Sequence, residues 1–542
     1  MTDWNFADVL EVVAAAVPEA PCQIQGERVL SYADFDRRAN GLAQALLDGG
    51  LGQQSKVAAY LYNGPEFTET YVAAIKAGMV PVNTNYRYGP EEIVYLFDNA
   101  DAEAVVFHAS FGPLLEGVRE RLPGVKLWIV VDDGDAPLPA WAIPYEGLVT
   151  GGRAEPVRGP WGRSGDDIIM LYTGGTTGMP KGVMWRQDDL FNVLGGGGNP
   201  ILGVPAATDL EEFRSRILGA GFRLMPACPL MHGTGQFSNF INLIGAGATV
   251  LSANRNFDAA GMWTEVQAKG VNALVIVGDA FARPLLAALD AEPDRWDLSA
   301  LFLITSSGVM WSQETKQGLV GHIPHVTLFD SLGSSEAVGL ASSTSSAGGA
   351  QDTAKFVIGD RVHVFTDDGK AVEPGSDEMG FVAISGWVPL GYYKDEEKTA
   401  KTFRTIDGVR YSIPGDYATV GTDGTLHLLG RGSQCINTGG EKVYPEEVEE
   451  ALKQHPSVRD AACVGLPDER FGETICALVE PEPGATIDSE ALVEHVRSQL
   501  ARYKAPRQVF SISTIGRSPA GKLDYKSLKT QALELAGLAG PV

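Results

Sequence analysis

The sequence predicts an α/β fold, with a large N-terminal domain of mostly parallel sheets covered by helices and a small α+β domain at the C-terminal end. Three observations carry this. At 542 residues the chain is too long for one ordinary core. From Arg28 onward, short apolar runs alternate with segments of helical periodicity, the pattern of repeated βαβ units in a parallel sheet. Towards the C-terminus, Val458–Val464, Glu473–Val479, Ser489–Leu500 and Gln508–Ile512 read instead as strand, strand, helix and strand, about the size of a small domain.

The elements can be justified in order. Arg28–Leu30 is extended, and Ser31 with Asp34 starts a helix whose apolar stripe is Phe35, Ala39, Leu42, Ala43 and Leu46. Lys56–Leu61 is a strand, Pro65–Ala77 a helix, Val80–Asn83 a strand, Pro90–Asp98 a helix and Ala104–Phe107 a strand. Val130–Arg163 is rich in Asp, Gly and Pro without sustained periodicity, which predicts a connection between subdomains. Ile168–Leu171 is a buried strand, as are Leu301–Ile304 and Val326–Phe329. Gly195–Phe222 opens on four consecutive glycines, whose entropy cost on ordering favours a mobile surface loop; the alternative is a border of a roomy ligand pocket.

Composition narrows the function. The chain is 44% hydrophobic and 20% charged with 64 Gly and 31 Pro, as in a loop-rich globular protein. Its 43 Lys+Arg against 68 Asp+Glu give a net charge of −25, which opposes non-specific binding to nucleic acid or anionic membranes. The five cysteines, Cys22, Cys228, Cys435, Cys463 and Cys476, are odd in number and lack Cys-x-x-Cys spacing, arguing for a reducing cytosol and against a zinc site. Met1–Asn5 does not open a secretory signal, and no uncharged apolar run reaches membrane-spanning length. The expectation is a cytoplasmic protein with no transmembrane segment, for which peripheral membrane contact stays open.

The chemistry centres on Tyr172-Thr-Gly-Gly-Thr-Thr-Gly-Met-Pro-Lys-Gly182. Glycines let backbone N–H groups approach a ligand, Thr173, Thr176 and Thr177 add hydroxyls, and Lys181 adds charge, a set suited to polyphosphate. Met179-Pro180 breaks the Walker pattern. Such a cluster is otherwise an ordinary surface loop. Here it resembles the phosphate loop of the AMP-forming acyl- and aryl-CoA synthetases, within the adenylate-forming superfamily that includes peptide-synthetase adenylation domains and luciferase. Further motifs follow in that family's order, from Ile75–Asn83 to Lys522.

The resemblance implies a role for each matching residue. Thr173, Gly174, Gly175, Thr176, Thr177 and Lys181 hold the ATP phosphates. His232, in Pro229–Gly235, is a gate between acyl pocket and phosphates, although a lone His among apolar residues is often a hydrogen-bonded core residue. The small Gly233, Thr234 and Gly235 leave space for an acyl chain. Ser307 and Gly308 form a wall against adenine; in Asp330-Ser331-Leu332-Gly333-Ser334-Ser335-Glu336, Asp330 accepts from its amino group, Ser335 meets the α-phosphate and Glu336 holds Mg²⁺. Leu332 stands where the family has Tyr, and Ser335 where it has Thr. Asp416 grips the ribose hydroxyls and Arg431 adds a second contact.

By the same resemblance, residues 1–431 are the adenylate-forming domain and 432–542 a mobile C-terminal domain swivelling about Ser433, where Asp or Lys is usual. Gly439 and Gly440 border the tunnel for coenzyme A, and Lys522, in Arg517–Lys522, is the adenylation lysine. The implied activity is an acid–thiol ligase using ATP, Mg²⁺ and CoA to convert a carboxylic acid to acyl-AMP and then acyl-CoA. The closest likeness is to actinobacterial ligases of fatty and sterol side-chain acids. A bulky acid such as a sterol side-chain carboxylate is the expected substrate, with medium- or long-chain fatty acids, or loading of a carrier protein, as alternatives; a homodimer is the commonest assembly for such a chain.

Overall fold

A computed structural model of the chain describes residues 3–173, 179–199, 203–309, 311–347, 355–376, 378–431, 434–438, 441–468, 471–500, 502–518 and 523–538. The first sheet is centred on Lys56–Tyr60, flanked in parallel by Val80–Asn83 and Ala102–His108. Alternate residues of Lys56–Tyr60 face opposite ways, and both sets are apolar. Val57 and Ala59 join the helices Tyr32–Asp48 and Pro65–Lys76 in one core, while Ala58 and Tyr60 join Pro90–Asn99 in another. Burial on both faces explains why the strand is a continuous apolar run. The Ser31 hydroxyl accepts from the Asp34 N–H, so the helix starts where the sequence placed its cap. On the far side of Val80–Asn83 lies Ile168–Thr173, paired along its other edge with Lys181–Arg186.

The second sheet has an antiparallel edge strand, Arg28–Ser31, and then runs in parallel in the spatial order Pro21–Gln25, Ala248–Leu251, Arg223–Pro226, Ala273–Ile276, Leu303–Ser307 and Thr327–Ser334. From Ala337–Ser345 onward it turns antiparallel, through Lys355–Ile358, Leu426–Arg431 and Asp416–Val420. Sheets that are mostly parallel and helix-covered therefore describe the first part of the large domain better than the antiparallel region after Thr327–Ser334. In the small sheet, Val458–Asp468 pairs antiparallel with Gly472–Pro481, which takes Gln508–Ser511 in parallel on its other side. Helices Pro445–Lys453, Ser489–Gln499 and Tyr525–Leu535 pack on this sheet.

Two expectations are corrected. Val130–Arg163 is more than a connection: the strands Leu127–Val131 and Ile143–Pro144 extend the first sheet, and the helix Tyr145–Val149 buries Tyr145, whose hydroxyl donates to Glu69 (2.5 Å). These pieces are too short for hydrophobic periodicity to register. Gly195–Phe222 also has structure. Gly195, Gly196 and Gly197 take positive φ of 110°, 57° and 75°, the Ala207 N–H donates to the Gly196 carbonyl (2.8 Å), and the helix Leu210–Ser215 buries Phe213. The rings of Phe213 and Phe191 both pack on Trp4. Among the described residues, no helix is long and apolar enough to cross a membrane.

Candidate active site

The strands Leu303–Ser307 and Thr327–Ser334 run side by side with Ser306 opposite Asp330 and Ser307 opposite Ser331. This register puts the two candidate adenine-binding segments at one sheet end, the usual ligand position in an open parallel sheet. Asp330 is buried, and its Oδ2 accepts from Lys316 Nζ (2.8 Å) on the helix Gln313–His322. Lys316 also lies 5.5 Å from the centre of the Trp311 ring. Burial raises the Asp330 carboxyl above the ordinary range, and Lys316 opposes that rise. Gly308 has φ +96°, which favours glycine, and faces Thr234, whose hydroxyl donates to the Ser307 carbonyl (3.5 Å).

His232 is half-buried and caps the helix Gly233–Ile244 through its extended backbone. Its small neighbours have packing reasons beyond leaving room for a ligand: a Cβ at Gly235 would sit 2.6 Å from the Pro229 carbonyl oxygen. Asn83 ties this turn to the phosphate segment. Its side-chain amide donates to the carbonyls of Tyr172 (2.8 Å) and Met231 (2.7 Å), and its Oδ1 accepts from the Tyr172 N–H (2.6 Å).

The glycine-rich segment joins two antiparallel strands, with Thr173 paired to Lys181 at the end where the connection leaves the sheet. A P-loop would lead into a helix; here the chain enters another strand. Lys181 Nζ pairs with Asp395, the N-cap of the helix Glu396–Thr402, and holds that carboxyl below its usual range. The ring of Tyr392 lies 5.9 Å from Lys181 Nζ, and its hydroxyl donates to Glu336 Oε1 (2.7 Å). Trp185 Nε1 donates to the Ser335 carbonyl (2.9 Å) and the Ser412 hydroxyl to that of Glu336 (2.6 Å). The two strands, Ser335 and Glu336 are thereby held as one unit.

Asp416 is buried opposite Arg431 across an antiparallel pair. It lines a cavity of ≈ 1070 Å³ together with Gly308, Asp330, Ser331, Leu332, Ser518 and Leu523. Of the residues expected at the site, Gly174, Gly175, Thr176, Thr177, Gly439, Gly440 and Lys522, with the hinge position Ser433, lie outside the described residues, as does the side chain of Arg431. Among the described residues, no cluster of three or more His, Cys, Asp or Glu side chains could hold a metal ion. Glu336 is a hard oxygen donor whose orientation Tyr392 fixes, which fits Mg²⁺, an ion needing few protein carboxylates.

Residues 10–393 match the family model of the AMP-binding enzymes, and residues 447–522 match that of the AMP-binding enzyme C-terminal domain. This chain belongs to the AMP-binding enzyme family. A 3-oxocholest-4-en-26-oate–CoA ligase of Rhodococcus rhodochrous is 42% identical over 537 residues, spanning 97% of this chain and 96% of that protein. A medium/long-chain-fatty-acid–CoA/3-oxocholest-4-en-26-oate–CoA ligase of Mycobacterium tuberculosis H37Rv is 42% identical over 530 residues, with 97% and 96% covered. The crystal structure of the anthranilate CoA ligase AuaEII with anthranoyl-AMP superposes with a TM-score of 0.84 at 21% identity over 99% of both chains.

In this AMP-binding enzyme the candidate residues stand in sequence motifs, whereas the residues that hold them do not. Asn83 ends the motif Ile75–Asn83, and Lys316, Tyr392 and Asp395 lie in no motif. A lysine or aspartate isolated from any motif carries no local signal; Lys181 and Asp395 are 214 positions apart.

Proposed function

We propose that this AMP-binding enzyme is an ATP-dependent, AMP-forming acyl-CoA synthetase. One observation carries the reading. One cavity is lined by Gly308, Asp330, Leu332 and Asp416 and also by Ser518 and Leu523, the described residues that flank 519–522 in the sequence. The division at 431/432 is part of this reading, as is a swivel about Ser433.

In the first step a carboxylate oxygen attacks the α-phosphorus of ATP. A P–O bond forms, the bond to the β-phosphate oxygen breaks, and pyrophosphate leaves. Asp416 and Arg431 hold the ribose. Ser307, Gly308, Asp330, Ser331 and Leu332 enclose adenine with an aliphatic rather than aromatic surface at Leu332. Thr173 and Lys181, with 174–177, take the leaving phosphates, and Ser335 reaches the α-phosphate. Lys181, paired here with Asp395, turns to phosphate oxygen, an equally charge-assisted partner. Glu336 is the residue that would hold Mg²⁺, which when bound neutralises phosphate charge. Lys522 steadies the attacking and α-phosphate oxygens as charge develops. In the second step the CoA thiol, led past Gly439 and Gly440, attacks the acyl carbon; a C–S bond forms, AMP departs and the thiol proton passes to solvent. His232 gates the acyl side.

The relatives support a sterol side-chain acid as substrate, and the mycobacterial relative's name favours medium- and long-chain fatty acids as a second reading. The buried thiols of Cys22, Cys228, Cys463 and Cys476, none of them in a disulfide, support work in a reducing cytosol. The test is pyrophosphate release with Mg·ATP across fatty, aryl and sterol side-chain acids, with and without CoA. CoA-dependent turnover of 3-oxocholest-4-en-26-oate is expected. Turnover of straight-chain acids alone would remove the sterol proposal and keep the synthetase, whereas pyrophosphate release without any CoA thioester would remove the second step.

A further inference from the structure

Behind Asp330 stands a buried cation that does not itself line the cavity. Lys316 sits one turn into the helix Gln313–His322, whose cap residue Ser312 is fixed by Asp279: the Ser312 N–H and hydroxyl each donate to Asp279 Oδ1 (3.1 Å). This pins the helix, and the lysine with it, to the neighbouring helix Asp279–Ala291. The Lys316 side chain is 2% exposed, whereas Asp330, 8% exposed, belongs to the cavity lining. Among the described residues Asp330 is the one carboxylate paired with this ammonium, and the buried Trp311 ring adds a cation–π contact. Burying two charges is costly, and apolar residues of similar volume often serve stability as well. The pair therefore calls for a reason beyond stability.

That reason lies in what the carboxylate offers the cavity. Oδ2 takes the Lys316 ammonium (2.8 Å), and among the described residues no hydrogen bond reaches Oδ1. Asp330 stands opposite Ser306 and Ser343 in its two neighbouring strands, so backbone pairing sets its position. An ionised carboxylate only accepts hydrogen bonds, whereas a protonated one also donates. Burial pushes this carboxyl towards protonation, Lys316 opposes that, and Asp279 adds to the rise. With the ammonium in place, the free oxygen is an acceptor. A 6-amino purine meets it with an N–H; a 6-oxo purine meets it with a second acceptor.

We propose that Lys316 sets the base specificity of the nucleotide site: by holding Asp330 as an acceptor-only group, it makes the site take 6-amino purines and reject 6-oxo ones. Lys316 is a positioning residue, acting through Asp330, and the inference rests on the adenine placement proposed above. The same geometry makes a sharper demand. An ammonium carries donors alone, so in Asp330→Asn the amide turns its carbonyl to Lys316 and its NH₂ to the cavity, inverting what the base meets. Without Lys316 that amide is free to turn back. A role in packing alone would lower activity with every nucleotide equally and leave the base preference unmoved.

The experiment measures pyrophosphate release by the full-length enzyme with Mg·ATP and with Mg·ITP, the same nucleotide carrying oxygen in place of the 6-amino group. The acid is 3-oxocholest-4-en-26-oate or a medium-chain fatty acid, whichever turns over faster. The ratio of the two kcat/KM values is the readout, because any fraction of misfolded enzyme cancels from it. Wild type is expected to prefer ATP by about 10- to 100-fold, the scale of a hydrogen bond to a charged group. Lys316→Met should cut that preference to about threefold or less, and Asp330→Asn should turn it towards ITP. Adding Lys316→Met to Asp330→Asn should swing the ratio back towards ATP, the coupling that a double-mutant cycle isolates. A wild-type ratio in Lys316→Met, or the same ratio in Asp330→Asn with and without Lys316, overturns the proposal. A wild type that does not distinguish ATP from ITP, or a wild-type ratio in Asp330→Asn, removes instead the adenine placement on which it rests.

Discussion

At Asp330 a buried carboxylate depends on one cation. Its folded-state pKa is raised by burial and held in check by Lys316. The stability it contributes is therefore greatest when the carboxyl is protonated and declines as pH rises through the raised value. Removing Lys316 lets that value climb further. Lys316→Met should destabilise the protein by about 3 kcal/mol at pH 8, the scale for an uncompensated buried charge, and by less at pH 5, where Asp330 takes up a proton more readily. Urea unfolding at the two pH values measures this, and a loss independent of pH would show that the pair contributes packing rather than charge. Tyr392 offers a milder case. Tyr392→Phe frees Glu336 of one hydrogen bond, worth about 1 kcal/mol, so the concentration of Mg²⁺ needed for half-maximal adenylation should rise several-fold while folding is little changed. The motif aspartates and glutamate were legible in the sequence because their neighbours in the chain are motif residues too; Lys316 and Tyr392 were not, because only the fold makes them neighbours.

Elements differ in how far local sequence specifies them. The helices starting at Ser31 and Pro65 were legible because capping hydroxyls, N-terminal prolines and apolar stripes all act within one chain segment. The antiparallel turn-back after Thr327–Ser334 was not, because strand direction is decided by pairing between distant segments. The glycine run at 195–198 shows the same limit. Its composition suggests a loop, but a Cβ at Gly197 would lie 2.7 Å from the Phe213 ring and its φ is +75°. Gly197→Ala should cost about 1–3 kcal/mol through backbone strain and displaced packing, read as a lowered melting temperature. In the small domain, Glu449 on the helix Pro445–Lys453 is pushed up to about 7 by burial, with Arg517 and Lys453 working the other way. Its protonated form is the favoured one, so its contribution is fully present below about pH 4.5 and is lost as pH rises through about 7. Hydrogen-exchange protection of that helix should fall between pH 5 and 8 in the wild type and stay nearly level in Glu449→Gln.

The molecule as a whole has its two unequal parts in contact across the cavity. Arg283, on the helix Asp279–Ala291 of the large domain, donates through NH1 to the Arg459 carbonyl (2.9 Å) and pairs through Nε with Asp279 (3.2 Å). Arg459 immediately precedes Asp460, so this contact joins the cavity lining of the large domain to the strand whose Asp460 pairs with Arg517. If the small domain swivels between half-reactions, a contact made in one orientation biases the equilibrium towards that orientation by its own differential free energy. Arg283 is partly exposed, and the hydrogen bond it makes is worth about 1 kcal/mol. Arg283→Ala should therefore slow adenylation by roughly three- to tenfold, while CoA thioester formation from supplied acyl-AMP holds steady or rises because the competing orientation has lost support. Stopped-flow measurement of both half-reactions decides it. Equal slowing of the two would mean that Arg283 only stabilises the helix Asp279–Ala291, and that the orientation seen here owes nothing to this contact.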